Sequence, residues 1–183
     1  FHIVKNDDED VVESNGQSVF KNEKMVGYLS SDETKYFLFA VNGIKGGLFV
    51  AKTPQNKDVT YEIFGNKTKV SFTMEQGKLE FTVDTQTDVA IDEVSQDLGE
   101  LKESEVQQLE KTASDQLAAR IAELIKRVQQ NYDSDIFGFG NLIYRRDPGL
   151  WQQLENQWDE LFKTVPVHVN STVNIKNTAY IKK

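Results

Sequence analysis

The feature that most constrains this chain is a change in the period of its hydrophobic pattern about halfway along. Val59, Tyr61 and Ile63 alternate with polar neighbours, as do Val70, Phe72 and Met74 in a next segment, and then Leu79, Phe81 and Val83. A period of two sets one face of a strand against a core and leaves the other wet. Over residues 103–132 the period lengthens, and Val106, Leu109, Ala113, Leu117, Ile121, Leu124, Ile125 and Val128 recur three and four apart. That spacing draws one apolar stripe along a helix, which no Pro or Gly interrupts. A helix of this span is on the order of 42 Å long, enough to cross the face of a sheet. Strands fall in one block and helices in another. This predicts an α+β fold rather than a doubly wound parallel sheet.

The flanking segments complete the order. Residues 1–16 form an acidic, flexible lead-in, with residues 6–16 reading as a solvated loop, and residues 17–183 form the domain. Short strands at 17–21 and 25–29 flank a turn at Asn22-Glu23. Ser30 with Glu33 three residues on has capping-box spacing, and Asn42-Gly43 is a stop, so residues 31–42 form a short helix. Residues 47–52 make a strand that breaks at 53–58, and Gln76-Gly77 makes a tight hairpin turn. Asp133 and Asp135 are N-cap candidates for a helix carrying residues 136–146. Pro148 suits the start of one further helix, which carries Leu150, Trp151, Leu154, Trp158, Leu161 and Phe162 on a common side. Val165, Val167, Val169, Val173 and Ile175 all fall on odd positions, as in a strand. The expected architecture is an antiparallel or mixed sheet packed against one long and several shorter α-helices.

Charge and composition exclude some roles. The formal net charge of −8 argues against nucleic acid, which needs clustered Lys and Arg, and against electrostatic adhesion to an anionic leaflet. No stretch approaches the roughly 20 apolar residues that span a bilayer, and no signal-peptide pattern is present. The chain opens at Phe1 rather than Met, which reads as a processed or truncated start. With no cysteine, disulfides and thiolate chemistry are excluded within this sequence.

Five groups of residues invite a chemical reading, and each has a plainer one. Gly138-Phe139-Gly140 would cradle a phosphate, but a lone GxG without a third glycine or a preceding strand fits close helix packing better. Asp133 and Asp135 would bind a metal or act as an acid–base pair, but capping a helix start explains them at less cost. Trp151 and Trp158, seven apart, would make an aromatic platform, yet a core stripe is the default at helical spacing. His2 and His168 are the only histidines and lie far apart in sequence, with no recognisable triad beside them. Arg145-Arg146 reads as a helix-end charge cluster. No catalytic, cofactor or metal residue is assigned.

A larger pattern joins several of these residues. Asp135-Ile136-Phe137-Gly138-Phe139-Gly140 is followed by Arg145-Arg146-Asp147-Pro148, Leu150-Trp151 and Asn156-Gln157-Trp158-Asp159-Glu160-Leu161-Phe162. Upstream stand Ser18-Val19-Phe20-Lys21, Met25-Val26-Gly27-Tyr28-Leu29 and Lys45-Gly46-Gly47. Taken in order, from about residue 17 to 181, this resembles the C-terminal region of the GerAC-type spore germination lipoproteins, the C subunits of germinant receptors in spore-forming Firmicutes. The chain departs from that family at Ser18, where alanine is frequent, and in its acidic start.

The resemblance implies a non-enzymatic domain of a nutrient germinant receptor, working as a scaffold or interaction module in spore germination. It implies a full-length subunit on the outer surface of the spore inner membrane, held by a lipid anchor upstream of this chain. It further implies membrane subunits A and B as partners, without cofactor or nucleic acid. Asp135, Phe137, Gly138, Phe139, Gly140, Pro148, Trp151, Trp158, Asp159 and Phe162 are then family-motif residues with structural roles. The alternative is a module of the same receptor that binds the nutrient itself, in a pocket lined by the aromatics.

Overall fold

The structure, a computed structural model, describes residues 2–6, 9–13, 16–94 and 101–177. β1 (His2–Asn6) and β2 (Glu9–Glu13) pair antiparallel as a ribbon of their own. Part of the segment read as a loop is therefore strand; the valines and isoleucine here have a β-propensity that the acidic composition hides. β3 (Gln17–Lys21) and β4 (Lys24–Leu29) form a second hairpin, turned at Asn22, whose φ of +54° suits asparagine. α1 (Ser31–Ala40) follows with its capping box formed. Glu33 N–H donates to Ser30 Oγ at 3.3 Å, and Ser30 N–H donates to Glu33 Oε2 at 2.9 Å.

The main sheet is mixed, with strand order β5-β6-β7-β8. β5 (Gly47–Lys52), β6 (Asp58–Glu75) and β7 (Lys78–Val94) run antiparallel, and β8 (Val167–Asn177) lies parallel to β7. The two apolar segments expected at 59–63 and 70–74 belong to the single strand β6. Their phase passes from odd to even numbers because a bulge between Ile63 and Gly65 sets Phe64 out of register. The polar stretch between them stays in the strand because its inward groups are paired. Asn66 Nδ2 donates to Thr68 Oγ1, Thr87 Oγ1 donates to Asn66 Oδ1, and Thr68 Oγ1 donates to Phe39 O, all within 2.9 Å.

α2 (Glu103–Asn131) lies on the inner face, and all eight stripe residues are buried. Both edges of the sheet reach it. At one edge Val173 N–H donates to Ser114 Oγ and Ile175 N–H to Glu110 Oε1, each at 2.8 Å. At the other, Lys52 N–H donates to Gln116 Oε1 at 2.8 Å, and Gln116 Nε2 donates to Lys52 O at 2.7 Å. At 3.6 residues per turn, Gln116 stands on the opposite flank of Ala113 from Glu110 and Ser114. The sheet therefore curls around α2, and the helix is hydrogen-bonded to part of each margin.

The helical block continues with α3 (Phe139–Arg146), α4 (Pro148–Leu154) and α5 (Trp158–Phe162). The single helix expected from Pro148 onward is two, separated by a 3-10 turn at Glu155–Gln157. The tighter winding of that turn shifts the phase and brings Trp158 and Phe162 inward. Gln129, on the stripe side of α2 but polar, is buried and donates from Nε2 to Phe162 O at 2.8 Å and Val165 O at 2.9 Å. It thereby ties α2 to the end of α5 and the approach to β8.

Replacing Gln129 with Leu leaves both carbonyls unpaired in the interior. The expected loss is about 1–3 kcal/mol, seen as a lower urea midpoint at unchanged slope. Gln130→Leu, one residue on and solvent-facing, is expected to shift stability by no more than about 0.5 kcal/mol.

Candidate functional site

The residues that carry the sequence signature converge on the corner between α2, α3 and α5. Asp133 (φ +49°) ends the long helix, and Asp135 follows in a short bend. α3 begins at Phe139 rather than 136, behind Gly138, whose φ of +75° is a left-handed conformation that glycine adopts without strain. The helix lacks a side-chain cap from its own N-cap position, and Asp135 supplies one from three residues upstream. Phe139 N–H donates to its Oδ1 at 3.1 Å and Gly140 N–H to its Oδ2 at 2.7 Å. Trp158 Nε1–H, arriving from α5, donates to the same Oδ2 at 3.2 Å.

Burial pushes the Asp135 carboxyl above its ordinary value, and these donors pull it back in part. The carboxylate accordingly joins the free N–H groups of one helix to the indole of another. The amides of the GxG turn that would have faced a phosphate are already taken. Gly140 is required by packing: a Cβ there would stand 2.7 Å from Trp158 Nε1 and 2.9 Å from Trp151 Cη2.

The aromatics around this corner interlock. Phe139 stacks on Phe81 with centroids 4.6 Å apart and on Phe137 at 5.5 Å, while Phe137 meets Phe37 at 5.9 Å. Trp158 meets Trp151 edge to face at 5.6 Å, and Phe162 closes on both Phe139 and Trp158 at 6.3 Å. Pro148 starts α4, where Asp147 caps by accepting from Leu150 N–H at 2.9 Å. These rings fill the interior between α3, α5 and the sheet. They do not line an open platform.

Asp133 faces a different environment. Its carboxylate pairs with Lys21 Nζ at 2.8 Å and Lys163 Nζ at 3.2 Å. Lys21 also meets Asp159 at 2.7 Å, and Lys163 meets Glu160 at 2.8 Å. Hydrogen bonding to Lys21 is the main cause holding the Asp133 carboxyl below its ordinary range, with Lys163 adding to it. This half-exposed network pins the β3–β4 hairpin to α5. Neither Lys21 nor the Lys163 partnership was legible in sequence, since both are long-range pairs with only ordinary surface charges as a signal. Gly27 presses against the Tyr132 ring, whose hydroxyl donates to Tyr28 O at 2.7 Å.

The most capacious cleft among those described lies elsewhere, between α1 and α2. It holds about 570 Å³ and is lined by Tyr28, Glu33, Tyr36, Arg120, Glu123 and Arg127. Four of its charges pair within it, Arg127 with Glu33 and Arg120 with Glu123, while Asp32 at its border meets Lys35 at 3.5 Å. His168 projects to solvent beside Glu80 at 3.4 Å, and the side chain of His2 lies outside the described residues. No group of three or more His, Asp or Glu is gathered as a metal site among the described residues.

The two aspartates titrate with opposite consequences. Asp133, lowered in the fold, contributes stability that is complete above its ordinary value of 3.8 and lost as pH falls through the depressed one. Asp135, raised in the fold, is protonated first in the native state, so its titration adds stability as pH falls toward 3.8. In urea unfolding from neutral pH down into the carboxylate range, the deficit of Asp133→Asn against the parent is expected to shrink. That of Asp135→Asn, which loses acceptor capacity at every pH, is expected to widen.

Comparison with known proteins supplies the context for this corner. Residues 15–179 match the family described as spore germination B3/GerAC like, C-terminal. Spore germination protein B3 of Bacillus subtilis (strain 168) is 25% identical over 163 residues, 88% of this chain and 43% of that protein. Spore germination protein KC of the same organism is 25% identical over 171 residues, 92% of this chain and 42% of that one. The chain thus spans less than half the length of these curated relatives. The crystal structure of the GerBC protein shares the fold, with a TM-score of 0.82 at 24% identity, over 93% of this chain and 53% of that one. The corner built on Asp135, Gly140 and Trp158 and the sheet curled on α2 are therefore those of a member of the spore germination B3/GerAC-like C-terminal family, to which this chain belongs.

Proposed function

We propose that this chain is the domain by which a germinant-receptor C subunit docks onto its membrane-embedded A and B partners in spore germination. It acts as a non-enzymatic scaffold. The longer subunit is held by an upstream lipid anchor at the outer surface of the spore inner membrane. The reading draws on the family and on relatives that are named spore germination proteins. Among the described residues, no helix is long and apolar enough to cross a membrane. Contact with the bilayer would then pass through the anchor and the partners.

One observation carries the docking reading. The chemically distinctive residues of the signature are consumed in packing: the Asp135 oxygens, the Phe139 and Gly140 amides and the Trp158 indole all satisfy one another. What the domain offers outward is a fixed shape with scattered apolar side chains, which suits association better than turnover.

A second reading rests on the cleft between α1 and α2, where Arg120, Glu123 and Tyr36 would receive a small polar nutrient. Burial raises the Tyr36 hydroxyl pKa, so that it would serve there as a neutral donor.

Two measurements separate these ideas. In intact receptor preparations the tagged subunit is expected to co-isolate with A and B, and failure of any such association would sink the docking reading. Asp135→Asn is expected to lower subunit abundance and germination together, whereas an enzyme would keep its abundance and lose only its function. Ligand-observed NMR with amino acids, sugars and nucleosides is expected to detect no saturable binding to the isolated chain. Saturable binding abolished by Arg120→Gln would instead favour the cleft.

A further inference from the structure

The two margins of the main sheet differ in a way that the fold does not require. β8 presents His168, Asn170, Thr172, Asn174 and Lys176 on its outward face, a polar row that discourages further pairing. β5 presents Leu48 and Val50, which are 47% and 52% exposed, and Phe64 of β6 beside them is 53% exposed. Its sequence, GLFVAK, carries no charge before Lys52, no proline and no bulge of its own. The devices that usually protect an edge are missing.

The backbone of β5 is open in the same place. Lys52 turns both its N–H and its C=O away from β6 and toward Gln116, whose side-chain amide stands in for the peptide of a neighbouring strand. Orientation repeats every second residue along an antiparallel ladder, so Leu48 and Val50 direct their N–H and C=O groups to that same edge. Among the described residues, no hydrogen bond reaches them there. Gln116 thus closes the end of the edge, and among the described residues the stretch before it is free to pair.

Charge indicates what would pair. Glu62 lies directly across from Leu48 on the outward face, and Asp92 is exposed on β7. Neither has an ion-pair partner among the described residues, whereas Lys52 is neutralised by Asp58 at 2.7 Å. Two copies of a chain of net charge −8 would bring these acidic faces together. We infer that the open edge of β5 receives an extended segment of a partner protein in which apolar residues alternate with lysine or arginine, added as a fifth strand. This rests on the docking reading and names the surface that does the docking.

The test uses the whole chain, labelled for amide NMR, and a short capped peptide alternating valine with lysine. The peptide is expected to slow exchange of the Leu48 and Val50 amides by about tenfold or more. A valine–glutamate peptide of equal length is expected not to. Val50→Lys should abolish the effect. Glu62→Gln, which alters only a surface charge, should weaken it without touching the fold.

Protection of Leu48 and Val50 in the free chain would overturn the proposal, because the chain would then be covering its own edge. Equal response to the two peptides, or concentration-dependent self-association through β5, would overturn it as well. If Val50→Lys subunits still co-isolate with A and B, this surface is wrong and docking stands. If the parent subunit does not co-isolate, it is docking itself that fails.

Discussion

Clasping of α2 by the two margins of one sheet is the constraint on which the rest of this domain depends. β8 runs parallel to β7, so the chain must travel back along the sheet before its last strand can begin. α2 makes most of that return with its stripe pressed on the inner face. Side chains of Glu110, Ser114 and Gln116 then accept from edge N–H groups that a curled sheet would leave bare. Helix and sheet each supply what the other lacks. The strands bury the stripe, and the helix holds one end of each margin.

The corner after α2 follows from the same geometry. A chain leaving the end of α2 has to turn back before β8 can begin, and it does so through α3, α4 and α5. Here a buried carboxylate holds the reversal. A lone buried charge is costly, but three donors converging on Asp135 offset that cost and fix the angle at which α3 and α5 meet. Asp133, two residues earlier, does the opposite work in water, tying the hairpin to α5 through lysines. Two neighbouring carboxylates thus hold the interior and the surface of one joint.

That division bears on function. A site for chemistry leaves reactive groups unsatisfied and aimed into a cavity, whereas the Asp135 carboxylate, the Phe139 and Gly140 amides and the Trp158 indole satisfy one another. The features left over lie outside: a cleft of largely paired charges between α1 and α2, and an open strand edge with exposed Glu62 beside it. Rigid framing of an open edge is a common basis for recognition by strand addition, in which backbone pairing supplies affinity and alternate side chains supply selectivity.

Much of the fold could be read from the order of residues, because periodicity is a local property. The stripe of α2, the capping box of α1, the turn at Gln76-Gly77 and the proline start of α4 each depend on neighbours a few positions away. So does the phase change in β6, though its cause, the bulge at Phe64, emerges only when β7 lies alongside. The parallel sense of β8, the unbroken run of β6 through Asn66 and Thr68, and the break at residues 155–157 were not legible. Each is decided by groups distant in sequence. The same holds at the corner: composition marks Asp135 as a capping residue, but only the fold brings Trp158 to its second oxygen. By itself the sequence determined which faces must be buried and where many of the elements begin. The tertiary structure alone decided which buried donors meet which acceptors and which edge stays open, because hydrogen-bond satisfaction and edge exposure are properties of the assembled sheet and helix rather than of any one segment.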